Sequence, residues 1–258
     1  VEWAPPENAE IATIGSICHH LINQRVNKKI EKKCLVIGSG FMAPQAQLPQ
    51  NLISHLDIKS VRGPLSQLAI PVNHFGDLGL LSDILLRSDF ASKMERPREK
   101  ISTSNKKRKL GVILHHARSD FIERVKAAIL NRGGDVLFAG TNDYISVLRF
   151  IDESDFIFSS SLHGLICADS LGVPNTWFDV DGIHSHARFK FFDYALSVGR
   201  NLGRPFSIDQ IGTRASLLRE EHSYLNLLPE MKRSVMQNTM FWLNNFMVNR
   251  NEGSSDAP

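Results

Sequence analysis

Short apolar runs that alternate with helix-forming stretches are the feature that most constrains the fold of this chain. The runs KCLVIGSG, KLGVILHH and FIFSSS begin with nearly continuous apolar residues, which is typical of strands buried on both faces of a parallel sheet. The stretches CHHLINQRVNKKI, SDFIERVKAAILNRG and LHGLICADSLG favour helices between or after these runs. This alternation predicts an α/β fold with parallel sheets.

The chain also divides by composition. Three further strands are predicted in the first part, over Glu10–Ile17, Ile58–Pro64 and Val72–Gly79. From Arg87 to Lys109 the residues are mostly charged, which indicates a linker. We therefore predict an amino-terminal half over residues 1–90, a linker over 91–109, a carboxyl-terminal half with a closing helix over 110–248, and a disordered tail over 249–258.

The charge balance restricts the classes of partner. The formal net charge is +3, which is too small to argue for nucleic acid and suits an anionic small ligand or an anionic membrane surface. No stretch approaches the roughly 18 apolar residues that span a bilayer. We expect no nucleic-acid partner.

The segment VIGSGFMA contains Gly38, Gly40 and Ala43 in the spacing of a dinucleotide-binding turn. Pro44 follows at once, so a helix of the required length is not expected there. The favoured interpretation is that the glycines let the end of a strand approach a ligand or a neighbouring backbone. Gly38 and Gly40 are therefore candidate substrate-binding positions.

Two strand ends carry basic side chains. Arg62 ends one predicted strand, where a guanidinium can hold a phosphate or carboxylate, although an ordinary surface arginine is the alternative. His115 and His116 end another, and strand alternation allows only one of them to face a ligand cleft. Adjacent histidines that point apart make a poor metal pair, so we expect no metal site.

The strongest local signal is SSSLHG, where a buried strand passes into a helix. Free backbone N–H groups at the start of the helix, together with the hydroxyls of Ser160 and Ser161, are predicted to form an anion pocket near Leu162. His163 would donate to a phosphate or move a proton, and Gly164 would let a ligand reach the backbone. The alternative is a capping serine and a histidine with an ordinary structural partner.

The segment DVDGIHSHARFKFFDY places several charged residues and histidines directly after a strand. This density indicates a loop over the cleft, with a plain solvated loop as the alternative. Its candidate site residues are His184, with His186 as its rival, and Lys190.

Taken together, FSSSLHGLICADSLGVPN resembles the signature of the polysaccharide pyruvyl transferase family. SVRGPLS, HFGDLGLL, LGVILHH and RFKFFDYALSVG are similar to other segments of that family, in the same order and at similar spacing. The resemblance covers roughly Ile11 to Gly199.

The resemblance implies two Rossmann-like halves facing a cleft, a GT-B-like fold, with the acceptor on the amino-terminal side and the donor on the carboxyl-terminal side. It implies transfer of pyruvate from phosphoenolpyruvate to sugar hydroxyls as a ketal, with no cofactor. Arg62, His115 and His163 are then expected at the donor. The acid is expected to be His163 or His184, and the base Asp77 or Asp181.

The resemblance also implies a context. It places the chain in the cytoplasm, in the assembly of an exopolysaccharide or capsule. The acceptor is then a saccharide, with or without a lipid linkage, and the chain is a candidate for peripheral association with the inner face of the membrane. Family members begin with a strand and a GD…N loop that has no match before Ile11, so we expect a truncated amino-terminal half. Two other functions stay open: a glycosyltransferase that uses nucleotide sugars, and a non-catalytic relative that binds glycans.

Overall fold

A computed structural model of the chain describes residues 4–87, 109–130, 134–138, 143–179, 186–213, 216–217 and 222–252. The chain divides into two compact units. Unit 1 comprises Val1–Leu78, His186–Arg200 and Pro229–Pro258, and unit 2 comprises Gly79–Ser185 and Asn201–Leu228. The predicted division differs from this one, because it placed residues 186–200 and the closing helix in the second half.

The elements alternate along the chain as the sequence predicts. The strands are β1 (Ile11–Ala12), β2 (Cys34–Ser39), β3 (Leu56–Val61), β4 (Leu110–Leu114), β5 (Gly134–Phe138), β6 (Phe156–Ser159) and β7 (Asn175–Trp177). The α-helices are α1 (Cys18–Asn27), α2 (Gln50–Ile53), α3 (Pro64–Gln67), α4 (Asp83–Arg87), α5 (Ile122–Leu130), α6 (Tyr144–Asp152), α7 (Leu162–Ser170), α8 (Ala187–Ser197) and α9 (Leu228–Glu252). Short 3-10 helices cover Leu78–Leu81, His116–Phe121, Ile208–Gln210 and Ser223–Asn226.

Both units contain a parallel sheet, which confirms the predicted α/β class. Unit 1 has the strand order β1-β2-β3, and unit 2 has the order β5-β4-β6-β7. Every residue of β2, β4 and β6 is buried, as expected for strands covered on both faces. In unit 2, Val112 and Phe158 pack on one side of the sheet, while Ile113 and Ile157 pack on the other.

Two sequence predictions about chain segments were wrong or partly wrong. Val72–Gly79 is not a strand: only Phe75 pairs with the sheet, at Val61, and Gly76 turns the chain with a φ of +147°. The predicted tail over 249–258 is helical through Glu252, and its remainder lies outside the described residues. The predicted linker over 91–109 also lies outside them, apart from Lys109. Within the described ranges, no helix combines the length and apolar character needed to cross a bilayer.

A buried arginine ties the amino-terminal segment of unit 1 to α1. Arg25 is 1% exposed, and its Nη1 donates to the carbonyls of Pro6 (3.1 Å), Glu7 (3.3 Å) and Ala9 (3.2 Å). Its Nη2 donates to the carbonyl of Lys32, in the turn before β2. One side chain thus supplies hydrogen bonds to carbonyl groups in two separate segments.

We expect Arg25→Met to destabilise the protein by about 1.5–3 kcal/mol, the range for losing hydrogen bonds to a charged group. The reason is that the carbonyls of the amino-terminal segment lose their buried donor, while the apolar stem of the side chain is kept. Chemical denaturation followed by tryptophan fluorescence measures the change. Arg233→Met, at an exposed arginine of α9, is the matched control, and equal midpoints for the two variants would contradict the account.

Candidate functional site

The strand order of unit 2 reverses between β4 and β6. From β4 the chain passes to β5 on one side, and the next strand, β6, lies on the other side of β4. In open parallel sheets, ligands bind beyond the carboxyl ends of the strands at such a reversal. His115 follows β4 and Ser160 follows β6, so the fold places the two predicted site segments at this point.

Hydrogen bonds join the two strand ends directly. The backbone N–H of His115 donates to Ser160 Oγ (2.9 Å), and the backbone N–H of Ser160 donates to the carbonyl of Ile113 (3.0 Å). Ser160 is 2% exposed. Its hydroxyl therefore holds the loops together in this structure, and its role as a ligand for an anion stays a prediction.

His115 is held in a defined tautomer. Its Nδ1 accepts a hydrogen bond from the backbone N–H of Ala117 (3.2 Å), so the neutral ring carries its proton on Nε2. His115 is buried and His116 is exposed, and which of the two faces a ligand cleft stays a prediction. The rings do not point apart, however: they stack with centroids 4.3 Å apart, because a 3-10 helix begins at His116 and ends the strand alternation.

Helix α7 begins without a side-chain cap. Ser161 is the N-cap residue with an extended backbone, and its side chain makes no capping hydrogen bond. Ser159 is instead bound locally, since its hydroxyl accepts from the Ser161 N–H (3.0 Å) and donates to the Ser161 carbonyl (2.8 Å). Leu162 and Gly164 are buried, whereas His163 is exposed. The first turn of α7 therefore combines N–H donors that the N-cap side chain does not cap with an exposed imidazole.

Gly164 has a packing role, and its role in letting a ligand reach the backbone stays a prediction. A Cβ at this position would lie 2.3 Å from Ser159 Oγ and 3.2 Å from Ile113 Cγ2. The missing side chain therefore lets α7 pack closely on β6 and β4.

Arg62 is completely buried in unit 1. Its Nε donates to Asp193 Oδ2 (3.0 Å), its Nη1 to Ser16 Oγ (2.5 Å) and its Nη2 to the Phe41 carbonyl (2.7 Å). The side chain is thus neither the surface arginine of the alternative interpretation nor an exposed anion ligand. Donor binding by Arg62 stays a prediction, and it would require this internal network to rearrange.

Asp193, the partner of Arg62, lies in the helical part of the segment DVDGIHSHARFKFFDY. We predicted a loop, but α8 begins at Ala187 and carries both Lys190 and Asp193. Asp193 also accepts from the Ser66 N–H (2.9 Å) and the Ser66 hydroxyl (2.6 Å), at the start of α3. The carboxylate thus neutralises Arg62 and satisfies the first turn of α3, which Pro64 opens as predicted.

The glycines of unit 1 make room for this ion pair. A Cβ on Gly40 would lie 2.7 Å from the Arg62 guanidinium carbon, and one on Gly63 would lie 2.0 Å from the Asp193 carbonyl oxygen. Gly38 has a φ of +76°, and its Cβ would lie 2.6 Å from the Gly76 carbonyl oxygen. Gly38 and Gly40 therefore admit neighbouring protein groups, the second of the two interpretations left open by the sequence.

Lys190 adds a second buried cation beside Arg62. Lys190 is 6% exposed. Burial, and then the nearby charge of Arg62, lower the pKa of its ammonium group to about 8. Asp193 offsets one of the two positive charges, so this cluster of unit 1 carries an excess of cationic charge when Lys190 is protonated.

The other predicted residues are placed as follows. Asp77 is fully buried, and His186 is exposed immediately before α8. Asp181 and His184 lie outside the described residues. Among the residues that the structure describes, no group of three or more His, Cys, Asp or Glu side chains is arranged to hold a metal ion.

Comparison with known proteins identifies the family. Residues 11–182 match the family described as polysaccharide pyruvyl transferase. The chain belongs to this family. The match begins at Ile11, where the resemblance in the sequence also begins, and it includes the segments that carry Arg62, His115 and His163.

A curated relative supports the assignment. The succinoglycan biosynthesis protein ExoV of Rhizobium meliloti (strain 1021) is 30% identical over 189 residues, which cover 69% of this chain and 52% of that protein. The chain therefore spans about half the length of this curated relative.

Sequence reasoning missed Asp193, Ser16 and Ser66, the residues that hold Arg62. The available signal was the spacing of Lys190 and Asp193. Residues three apart lie on one face of a helix, so a helical interpretation of RFKFFDY would have placed Asp193 on the same face as Lys190. Ser16 and Ser66 gave no comparable signal, because their positions beside Arg62 depend on tertiary packing.

We expect Asp193→Asn to destabilise the protein by about 3–5 kcal/mol, since it leaves buried Arg62 without its counter-charge. Asp57→Asn is the matched control, because Asp57 pairs with Lys59 at 2.7 Å on the surface, where such pairs contribute about 0–1 kcal/mol. Urea denaturation of the two variants gives the comparison. A loss for Asp193→Asn as small as that for Asp57→Asn would show that the buried pair does not organise unit 1.

Proposed function

We propose that this chain transfers pyruvate from phosphoenolpyruvate to hydroxyls of a sugar residue in exopolysaccharide or capsule repeat-unit biosynthesis, forming a pyruvate ketal. Membership of the polysaccharide pyruvyl transferase family supports this reaction class. The biosynthetic context is supported by similarity to a protein named for succinoglycan biosynthesis. The single observation in the structure that carries the proposal is the first turn of α7.

The start of α7 suits the phosphate of the donor. Its first-turn N–H groups lack a side-chain cap, and the positive end of the helix dipole favours an anion there. The start lies at the strand-order reversal of unit 2, where open α/β sheets bind ligands. Exposed His163 is on the same turn, within reach of an anion bound to the N–H groups.

Unit 1 carries an excess of buried cationic charge, which suits an anionic group of a substrate. Asp193 offsets only one of Arg62 and Lys190. Lys190 Nζ lies over the Phe191 ring, 5.8 Å from its centroid. We propose Lys190 as an anion ligand, with Arg62 joining it after rearrangement of the internal network.

The proposed chemistry needs an acid and a base. The acid, proposed to be His163, protonates the methylene carbon of phosphoenolpyruvate, and positive character develops at C2. A sugar hydroxyl attacks C2, the bond from C2 to the phosphate oxygen breaks, and a second hydroxyl closes the ketal. One hydroxyl proton restores the acid, and the other is taken up by the departing phosphate. His184 as an alternative acid, and Asp77 or Asp181 as the base, remain proposals.

The two units are also proposed to be the two Rossmann-like halves of a GT-B-like fold. Each contains a parallel sheet followed by helices, and the order β5-β4-β6-β7 in unit 2 resembles a doubly wound sheet.

We expect His163→Ala and His163→Gln to lower the rate of transfer by about 10²–10⁴-fold, the usual contribution of a general acid. Because His163 is exposed, both variants should keep the far-ultraviolet circular dichroism and unfolding midpoint of the wild type. Phosphate release and the mass of the acceptor measure transfer. His20→Ala, at an exposed histidine of α1, is the control and should remain fully active.

Near-normal turnover in both His163 variants would show that His163 is not the general acid. A thermal-shift comparison adds a second criterion: phosphoenolpyruvate should stabilise the wild type, and nucleotide sugars should not. The reverse result would favour a glycosyltransferase.

The pKa of Lys190 predicts how donor affinity depends on pH. Its ammonium group must be protonated to attract an anion, and its pKa is lowered to about 8, chiefly by burial. Affinity for phosphoenolpyruvate should therefore be full below that value and fall as the pH rises through it. Lys190→Arg should keep its affinity from about pH 7 to about pH 9, because arginine stays charged throughout.

Isothermal titration calorimetry measures the affinity for phosphoenolpyruvate across this pH range. Lys59→Arg, at a half-exposed lysine of β3 paired with Asp57, is the matched control and should follow the wild-type curve. A wild-type affinity that does not change with pH, or an identical fall in Lys190→Arg, would exclude Lys190 as the titrating ligand.

A further inference from the structure

Unit 1 contains a cavity of about 240 Å³ between segment 73–78 and one face of α9. The helix contributes residues 231, 234, 235, 238, 239 and 242, the spacing of a single helical face. None of the lining residues is one that the proposed chemistry uses, although Gly76 and Leu78 flank Asp77, the proposed base.

The walls of the cavity are fixed by the backbone. The Val61 N–H donates to the His74 carbonyl (3.2 Å), and the Gly76 N–H donates to the Val61 carbonyl (2.9 Å). These bonds hold segment 73–78 against the end of β3. A Cβ on Gly76 would lie 2.6 Å from Val235 Cγ2, so the segment and α9 are in close contact at the base of the cavity.

The cavity offers several neutral hydrogen-bonding groups. Asn73, Ser234 and Asn238 line it with amides and a hydroxyl. Thr239 also lines it and is 6% exposed, and its Oγ1 has no hydrogen-bond partner among the described residues. A buried hydroxyl without a partner is unfavourable, and a ligand hydroxyl would satisfy it.

An aromatic wall completes the cavity. The rings of His74 and Trp242 meet edge to face, with centroids 5.4 Å apart and planes at 63°. Trp242 thus presents apolar ring surface beside the amides and hydroxyls. Flat apolar surface with a few converging polar groups is the usual composition of a small-molecule site.

The absence of charge decides the class of ligand. Among the described residues that line the cavity, none is Asp, Glu, Lys or Arg, so the permanently charged groups that commonly hold phosphates and carboxylates are missing. The imidazole of His74 packs against the Trp242 ring. Its volume is below the roughly 300–1,000 Å³ of pockets for drug-sized ligands. We propose that this cavity binds one uncharged sugar ring, with its hydroxyls on Asn238 and Thr239 and its C–H face on Trp242.

The ring is further assigned to the acceptor saccharide, and this assignment rests on the proposed function. Binding of the ring itself does not, because it is argued only from the lining of the cavity. The two claims can therefore fail separately.

Saturation-transfer difference NMR and calorimetry with a panel of methyl glycosides of glucose, galactose, mannose and N-acetylglucosamine test the site, without phosphoenolpyruvate present. At least one glycoside should bind the wild type. Asn238→Ala and Thr239→Val should each weaken its affinity about tenfold, as expected for the loss of one well-placed hydrogen bond. Thr239→Val should leave the free protein at least as stable, since it removes an unsatisfied buried hydroxyl.

Asn244→Ala is the matched control, because Asn244 is exposed on the same helix and does not line the cavity. It should bind the glycoside like the wild type. The proposal is overturned if no glycoside in the panel binds, or if Asn238→Ala and Thr239→Val bind it as tightly as Asn244→Ala does. It is also overturned if these two variants weaken binding of phosphoenolpyruvate, which would make the cavity an anion site.

Discussion

The buried ion pair of Arg62 and Asp193 is the interaction on which unit 1 depends. It joins the end of β3 to α8, although the two residues are 131 positions apart in the sequence. Asp193 also satisfies the start of α3, and Gly40 and Gly63 leave the space that the pair occupies. A buried charge without its partner is costly, so the strand end, α3 and α8 are fixed together, and α8 carries Lys190 with them.

The strands and their class could be predicted because burial on both faces leaves a local signature. The apolar runs around Val36, Val112 and Ile157 need no tertiary information to be recognised. The strand predicted over Val72–Gly79 failed because a single positive-φ residue, Gly76, ends the pairing after Phe75. Apolar content alone does not show such a turn.

The site was harder to predict than the fold, for a related reason. His115 and His163 could be found because each follows an obvious strand, and parallel strands end at the same edge of a sheet. Asp193, Ser16 and Ser66 could not, because their contacts with Arg62 exist only after packing. Gly164 shows the same limit: the contacts that a side chain there would make with Ser159 and Ile113 exist only after packing. Sequence identifies side chains with reactive chemistry more readily than the groups that hold them.

The central claim is that the chain moves pyruvate from phosphoenolpyruvate to a sugar. The most direct test incubates the protein with phosphoenolpyruvate labelled with ¹³C at C2 and with exopolysaccharide repeat-unit oligosaccharides, and follows the product by mass spectrometry and NMR. The account predicts an acceptor that gains one pyruvate less one water, with the label in a carbon bonded to two sugar oxygens and an equal amount of phosphate released. Unchanged acceptors across the panel, or an added sugar when nucleotide sugars are supplied instead, would contradict it.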